Sequence, residues 1–324
     1  MKELKELRVY DDTLVLEDND VKGPILPKVV AELDRDVIFK GDNIVEGAVY
    51  AKKINFTSSN VEIQGATYAE LEVHVESDAE GQAVFNKSVG AVESVVSYAR
   101  NYRLQIMGDV NSRTVKLYNA YISGSVFADE IILENCVVIG GVFGTKSVEI
   151  KSSIVGTFNS PSVLLSGTNY LLLPSAFSFT PIETSPGAKM YNLTLADLGS
   201  LYRKSKEMLN TGKILMDLSS DEVRTTLSDE NQQVSVRCYS VAGKVLAADL
   251  LDSDKLQNHF LITAASLGQQ LLRTYDLGPS SDGGKAVLTP TKIAAFFFDI
   301  VDGKIEIQDI SGEFSIESIK NTFK

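Results

Sequence analysis

A five-residue phrase with a central glycine recurs at a fixed interval in the middle of the chain. An apolar residue lies two positions before each glycine, and another lies two positions after it. Successive glycines are 16 residues apart, and the four copies are centred on Gly108, Gly124, Gly140 and Gly156. Self-similarity at such a short period indicates a stacked repeat, in which each unit buries its apolar residues only against its neighbours.

The residues before each glycine show what one repeat unit contains. A second pair of apolar residues with a one-residue gap begins 8 or 9 residues earlier, for example Ile131 and Leu133 before Gly140. Apolar residues two apart point to the same face of a strand. A unit of about 16 residues is too short for a helix plus a strand, so we predict one coil of a parallel β-helix, with coils about 4.8 Å apart. The inward residues are then Ile122, Val126, Ile131, Leu133, Val138 and Val142.

The same rhythm extends toward the N-terminus. We predict equivalent glycines at Gly23, Gly47, Gly65 and Gly81, which gives eight coils and a partial ninth at Gly167. Insertions are expected at residues 26–36 and 85–94, with Val96 and Tyr98 as the next inward pair. The alternative is an antiparallel sandwich of repeated hairpins, whose strands are longer and less regularly spaced.

The rhythm ends near residue 171, where the composition changes. Residues 174–188 contain three prolines and a glycine and are predicted to be a linker. The predicted organisation is a tail at 1–13, a parallel β-helix at 14–173, this linker, and an α+β domain at 189–324. The fold class is therefore an all-β solenoid followed by a C-terminal α+β domain.

The C-terminal domain is predicted from local patterns. A hairpin is expected from 234–239 and 244–251, a helix from 255 to 275, and strands at 293–301 and 304–310 joined by a turn at Asp302-Gly303. The predicted order of elements resembles longin or roadblock modules in topology alone.

Charge and cysteine content restrict the kind of partner and compartment. The formal net charge of −12 argues against nucleic acid or an anionic membrane surface as the main partner, because both require a basic surface. We expect a cytoplasmic protein, since the chain shows no secretory leader, no transmembrane run and no disulfide framework around Cys136 and Cys238.

No group of residues has the spacing that catalysis, a cofactor or a metal requires. His74 is predicted to face solvent, and His259 lies in a predicted helix without a partner at ligand spacing. Residues 278–285 contain Gly and Lys but not in the phosphate-loop spacing. Cys136 takes the place of Ala120 in the next coil, so we expect a small packing residue. The prediction is that the chain is not an enzyme and has no catalytic, cofactor-binding or metal-ligating residues.

Residues 37–167 resemble the bactofilin family of polymer-forming bacterial-type cytoskeletal proteins. The likeness rests on the phrases around Gly47 and Gly124 and on coils of 16–18 residues. It implies a right-handed, three-sided β-helix that polymerises end to end without nucleotide, and it carries no catalytic residues. A folded C-terminal domain of this size and the interrupted coils depart from the family pattern.

The N-terminal coil is the predicted self-association surface. An outermost coil exposes unpaired backbone groups, which can pair with another strand. Leu14, Leu16, Val21 and Ile25 form this coil and are the predicted self-association residues, with residues 1–13 folding over it as the alternative. The predicted partner is thus a second copy. The competing hypothesis is an adaptor, in which the rod holds a C-terminal domain that binds another protein such as a small GTPase.

Overall fold

The computed structural model describes residues 8–10, 12–27, 34–172, 182–192, 233–241, 244–251, 261–262 and 290–313. The chain divides into two compact units, Met1–Leu193 and Thr194–Lys324. The first unit consists of twenty strands in its described residues. These are β1 Arg8–Tyr10, β2 Thr13–Glu17, β3 Asp20–Val21, β4 Asp36–Val45, β5 Val49–Ile63, β6 Thr67–Val75, β7 Glu80–Phe85, β8 Val89–Ala91, β9 Ser94–Ser97, β10 Asn101–Ile106, β11 Val110–Asn111, β12 Thr114–Tyr118, β13 Ala120–Ile122, β14 Val126–Glu134, β15 Val137–Lys151, β16 Ile154–Asn159, β17 Val163–Ser166, β18 Thr168–Leu171, β19 Ile182–Thr184 and β20 Lys189–Asn192.

These strands wind into a three-sided parallel β-solenoid of about eight turns, as the repeat predicted. Face A begins at β2 and continues through residues 36–40 of β4. Face B begins at β3 and continues through residues 42–45. Face C begins at Ile25 and continues with residues 49–51 of β5. Every pairing from β2 onward in this unit is parallel, and long strands such as β5 turn corners from one face to the next.

The core is a set of inward columns, one for each strand position. All six residues predicted to be inward, from Ile122 to Val142, are at most 1% exposed. Residues at the same position in successive coils stack directly, as in Val115, Ile131, Val148 and Val163. Aromatic rings fill much of the core in the N-terminal half, where Phe39 and Phe56 stack with centroids 5.1 Å apart. The apolar residues are therefore removed from water by contact between coils.

The corner between faces B and C explains the repeated glycines. A Cβ added at Gly156 would lie 2.2 Å from the carbonyl oxygen of Gly140, and one at Gly65 would lie 2.4 Å from the carbonyl carbon of Gly47. These distances are far below van der Waals contact. The backbones of adjacent coils approach closely at this corner, which favours glycine at most of its positions.

The corner between faces A and B shows that three details of the predicted repeat are wrong: the place of Gly81, the insertion at 85–94, and the inward pair Val96 and Tyr98. Gly81 lies at this second corner, paired with Ser59 and Tyr102, and Lys87 takes the glycine position between Gly65 and Gly108. Residues 85–94 are not an insertion, because they include β8 and the start of β9. The additional residues lie in the turns at 76–79 and 98–100, and Val95 and Ser97 are the inward pair.

The solenoid continues beyond residue 171, near which the sequence repeat ends. β19 pairs with β17 and β20 pairs with β18, both parallel and in register. These strands lie within the stretch predicted to be the linker and the start of the second domain. The turn between them holds Gly187 at φ 79°, a conformation that glycine adopts without strain. The proline-rich composition thus belongs partly to a corner of the solenoid.

The second unit contains a four-stranded antiparallel sheet and one helix in its described residues. The strands are β21 Gln233–Val241, β22 Lys244–Leu251, β23 Leu261–Ile262 and β24 Glu306–Glu313, in the order β23-β22-β21-β24. The helix α1 spans Pro290–Val301. The predicted hairpin of β21 and β22 is confirmed. The helix predicted at 255–275 contains β23 instead, and the strand predicted at 293–301 is helical.

Candidate self-association surface

The predicted self-association residues form the first coil of the solenoid. Leu14, Leu16 and Ile25 are at most 6% exposed, and Val21 is half-buried. Leu14 and Leu16 stack on Val37 and Phe39 of the second coil. Their side chains therefore belong to the core, and only the backbone of this coil is available for pairing with another strand.

The N-terminal tail covers one face of this coil. β1 pairs antiparallel with β2, in the register Arg8 to Val15, Val9 to Leu14 and Tyr10 to Thr13. The expected free edge at Leu14 is therefore occupied by the chain's own tail. This is the alternative that the sequence left open, and it applies to face A.

On faces B and C, the backbone of the first coil pairs with the second coil. Within the described residues, its opposite edge has no pairing on these two faces. β3 pairs with β4, and Ile25 forms a bridge with Val49. The Val21 carbonyl accepts the Glu46 N–H at 3.0 Å. Because backbone groups alternate along a strand, those of Asp20 and Lys22 point toward the opposite edge, away from the solenoid. This edge on face B can accept another strand.

A ladder of polar side chains runs along the corner between faces A and B. The N–H of Asn19 donates to Oδ1 of Asn43 in the next coil at 3.0 Å. Farther along, the Cys136 N–H donates to Ser153 Oγ and the Ser153 N–H donates to Asn169 Oδ1, at 3.0 and 2.9 Å. Each side chain in this ladder accepts the backbone N–H of the coil before it.

Asn19 is the first member of this ladder and lacks the preceding coil. Its side-chain amide donates to the Glu17 carbonyl at 3.0 Å, which leaves Oδ1 as the acceptor. Oδ1 is buried, the residue is 5% exposed, and no described residue donates to this oxygen. A buried acceptor without a donor costs about 1–3 kcal/mol. The first coil thus has a position for one more N–H.

The glycine and apolar repeat does not reveal this ladder, although the sequence contains a signal for it. Asn19 and Asn43 are separated by the same 24 residues as Gly23 and Gly47. A search of the repeat for polar residues in register, in addition to glycine, would have found the pair. Asparagine also suits this corner because its short amide reaches the backbone of its own turn.

An acidic groove of about 450 Å³ lies beside this corner on face B. Its carboxylates are Asp18, Asp20, Asp42 and Glu62. Asp18 accepts the Asp42 N–H at 2.9 Å, and Asp42 accepts from the Asn60 amide at 3.0 Å. In the described ranges, no group of three His, Cys, Asp or Glu residues is arranged to hold a metal ion. The carboxylates instead link successive coils and give this end of the solenoid a negative charge.

The histidines, Cys136 and the glycine-rich stretch were the other positions with a predicted role or environment. His74 lies on the outer side of face A, opposite the buried Val73 and Val75, as predicted. Cys136 is fully buried in the column of Ala120 and Ser153, which confirms the packing role, and burial raises the pKa of its thiol to about 12. His259 and residues 278–285 lie outside the described residues.

Comparison with known proteins finds no matching family model, no matching curated protein and no matching solved structure. Within the described residues, no helix has both the length and the hydrophobicity needed to cross a bilayer.

Proposed function

We propose that this protein is a non-enzymatic structural scaffold that self-assembles end to end through its β-solenoid without nucleotide. The resemblance to bactofilins suggested this function and a right-handed winding. The β-solenoid fold is compatible with this function, because the backbone pairing that stacks coils within one chain can also join the exposed strand edges of two chains. A cytoplasmic location is part of the same proposal.

The observation that carries the proposal is the incomplete first coil. The edge at Asp20 and the Oδ1 atom of Asn19 lie side by side, and both lack a partner among the described residues. A strand from a second copy would supply N–H and C=O groups to this edge. Two copies meeting through the same edge form a twofold dimer, and assembly continues if the opposite end also pairs.

The charge of this end predicts how the contact responds to salt. Glu17, Asp18 and Asp20 lie in the first coil, and Lys22 is the nearby cation, 3.2 Å from Asp20. Two such ends repel one another at low ionic strength. Because salt screens charges beyond about 10 Å at 0.1 M, assembly should increase as salt is raised to this range.

The test uses proline at the free edge. Lys22→Pro removes the backbone donor that points away from the solenoid. Lys22→Ala is the matched control, since it removes the same ion pairs but keeps the N–H. In light scattering, Lys22→Pro should lower the particle mass, whereas Lys22→Ala should keep it. Equal masses for both variants, or a monomeric wild type at high concentration, would reject end-to-end assembly and favour the adaptor hypothesis.

A further inference from the structure

Face C carries a column of outward residues that differs from the rest of the surface. We call it the aromatic stripe. In register, from the first coil to the eighth, it consists of Leu26, Tyr50, Tyr68, Gly90, Asn111, Phe127, Phe143 and Asn159. Four of the eight large exposed hydrophobic side chains in the described residues lie on this one column.

The rings of the stripe pack on one another and remain exposed. Phe127 and Phe143 are stacked with centroids 5.3 Å apart, and Tyr50 and Tyr68 lie 6.4 Å apart. Tyr68 and Phe127 are 37% and 40% exposed. A Cβ at Gly90 would lie 3.2 Å from the Tyr68 ring, so glycine leaves room for that ring against the sheet. An ordered row of exposed rings on a flat face is typical of a protein contact surface.

In three coils, charged residues of opposite sign lie on the two sides of the aromatic stripe. On the side next to face B lie Glu46, Lys87 and Asp109. On the side next to face A, in the same three coils, lie Lys52, Glu93 and Arg113, and all six side chains are at least partly exposed. In each of these coils the two flanks have opposite charges, although Glu46 already pairs with Lys22, and Glu93 with Arg113, within the chain.

We infer that the aromatic stripe binds the stripe of a second copy, with the two solenoids side by side and parallel. A twofold axis along the stacking direction places equal coils opposite each other. The face B flank of one copy then meets the face A flank of the other, so Glu46 faces Lys52, Lys87 faces Glu93 and Asp109 faces Arg113. Each aromatic residue packs against its own counterpart.

The antiparallel arrangement is disfavoured by the same charges. It matches the first coil of one copy with the eighth of the other and places each flank against itself. Glu70 then faces Asp129 and Lys52 faces Lys146, which brings like charges together and offsets the opposite charges of Lys87 with Asp109 and of Glu93 with Arg113. Like-charge pairs across an interface are costly. The parallel arrangement pairs only opposite charges among these flank residues, so the charges favour a second copy in the parallel orientation.

The size of the stripe determines the strength of the contact. Eight coils at about 4.8 Å by a strand about 10 Å wide give roughly 400 Å² for each copy. A standard stable interface buries about 800 Å² for each partner. Single copies should thus pair weakly, and copies already joined end to end should pair strongly. The strength of the lateral contact therefore rests on the proposed end-to-end assembly, whereas the existence of the contact does not.

Disulfide trapping tests the contact even when it is weak. The background is Cys238→Ser, in which the remaining native thiol, Cys136, is buried. Leu26→Cys and Asn159→Cys are oxidised separately and also together as a mixture. Parallel pairing gives homodimers from each variant alone, whereas antiparallel pairing gives dimers only in the mixture. Lys40→Cys, exposed at the end of a face A strand, is the control. The expected result is several-fold more dimer from the two stripe variants alone than from the control.

A second comparison separates this contact from end-to-end assembly. Adding Tyr68→Ser and Phe127→Ser to Asn159→Cys should reduce the disulfide dimer severalfold without a change in melting temperature. Adding Lys22→Pro should leave the dimer detectable, since it affects only the end of the solenoid. Dimer yield at the control level, dimers in the mixture alone, or yield unaffected by loss of the rings would each overturn the inference, whatever the particle mass of Lys22→Pro.

Discussion

At the scale of single residues, the two best-defined corners of the solenoid place different demands on the chain. The corner between faces B and C favours glycine because adjacent backbones come close together, as at Gly140 and Gly156. The corner between faces A and B needs a positive φ instead, which Asn119 and Asn135 adopt at 59° and 55°. Asparagine tolerates this conformation because its side chain bonds locally. The repeated glycines therefore mark one corner, whereas asparagine, aspartate, serine or glycine with a positive φ marks the other in most coils.

Buried ionisable groups predict how stability depends on pH. Burial raises the pKa of the Cys136 thiol from 9.0 to about 12 and that of Tyr121 from 10.0 to about 12. Both groups stay neutral in the folded protein while the unfolded chain ionises, so the unfolded state binds fewer protons above pH 9. The free energy of unfolding should then fall by up to about 1.4 kcal/mol for each pH unit and group.

Urea unfolding between pH 8 and 11 measures this effect. Cys136→Ala should show a shallower decline than the wild type from pH 9, because alanine already occupies this column at Ala120 and does not ionise. Tyr121 should still contribute above pH 10 in both proteins. Parallel declines of the two proteins between pH 9 and 10 would show that the thiol does not control this step.

At the scale of elements, each strand of the solenoid is held by the strands above and below it. Ile131 stacks between Val115 and Val148 and is 1% exposed. Its neighbour Ile132 points outward and is half-buried. A carboxylate in the inward column has no partner, and an isolated buried charge costs several kcal/mol or more.

Ile131→Asp should therefore unfold the solenoid or lower its melting temperature by many degrees. Ile132→Asp is the matched control, with the same substitution on the same strand but toward solvent, and it should melt within a few degrees of the wild type. Thermal melting followed by circular dichroism distinguishes the two. Similar melting of both variants would mean that this strand does not have the described register.

The elements also show where the sequence could predict structure and where it could not. Columns such as Val115, Ile131 and Val148 repeat at a nearly constant spacing, so their faces were predictable. The repeat predicts the wrong corner for Gly81 because turns of unequal length change the spacing without changing the residue types. The pattern at 293–301 predicts a strand because a short apolar run fits a buried strand as well as a helix. Pro290, at the first helical position, was the missed signal.

At the scale of the whole molecule, the surface for self-association was only partly predictable. The pattern identified the first coil, but the edge on face A is covered by β1, which has no repeat to reveal it. The sequence repeat does not reveal the aromatic stripe either, since outward residues one coil apart are 16 to 24 positions apart in sequence and become a column only once the register is known. The buried positions of the core can be predicted from the sequence repeat. The columns of surface residues can be recognised only once the register of the strands is known.

The boundary between the two units gives the last prediction. Contacts divide the chain after Leu193, and β19 and β20 extend the solenoid past the predicted linker. The Ser185 N–H donates to the Leu165 carbonyl and the Lys189 N–H donates to the Gly167 carbonyl, both at 2.9 Å. A fragment ending at residue 174 loses these bonds and exposes the edges of β17 and β18.

Residues 1–193 should therefore fold alone and melt at the temperature of the solenoid in the full chain. The shorter fragment, residues 1–174, should melt several degrees lower and scatter more light, because its exposed strand edges pair with other copies. Circular dichroism and static light scattering on both fragments measure this. If residues 1–193 fail to fold while the full chain is folded, the two units share a core and the boundary lies elsewhere. If the fragments melt alike, β19 and β20 contribute no stability to the solenoid.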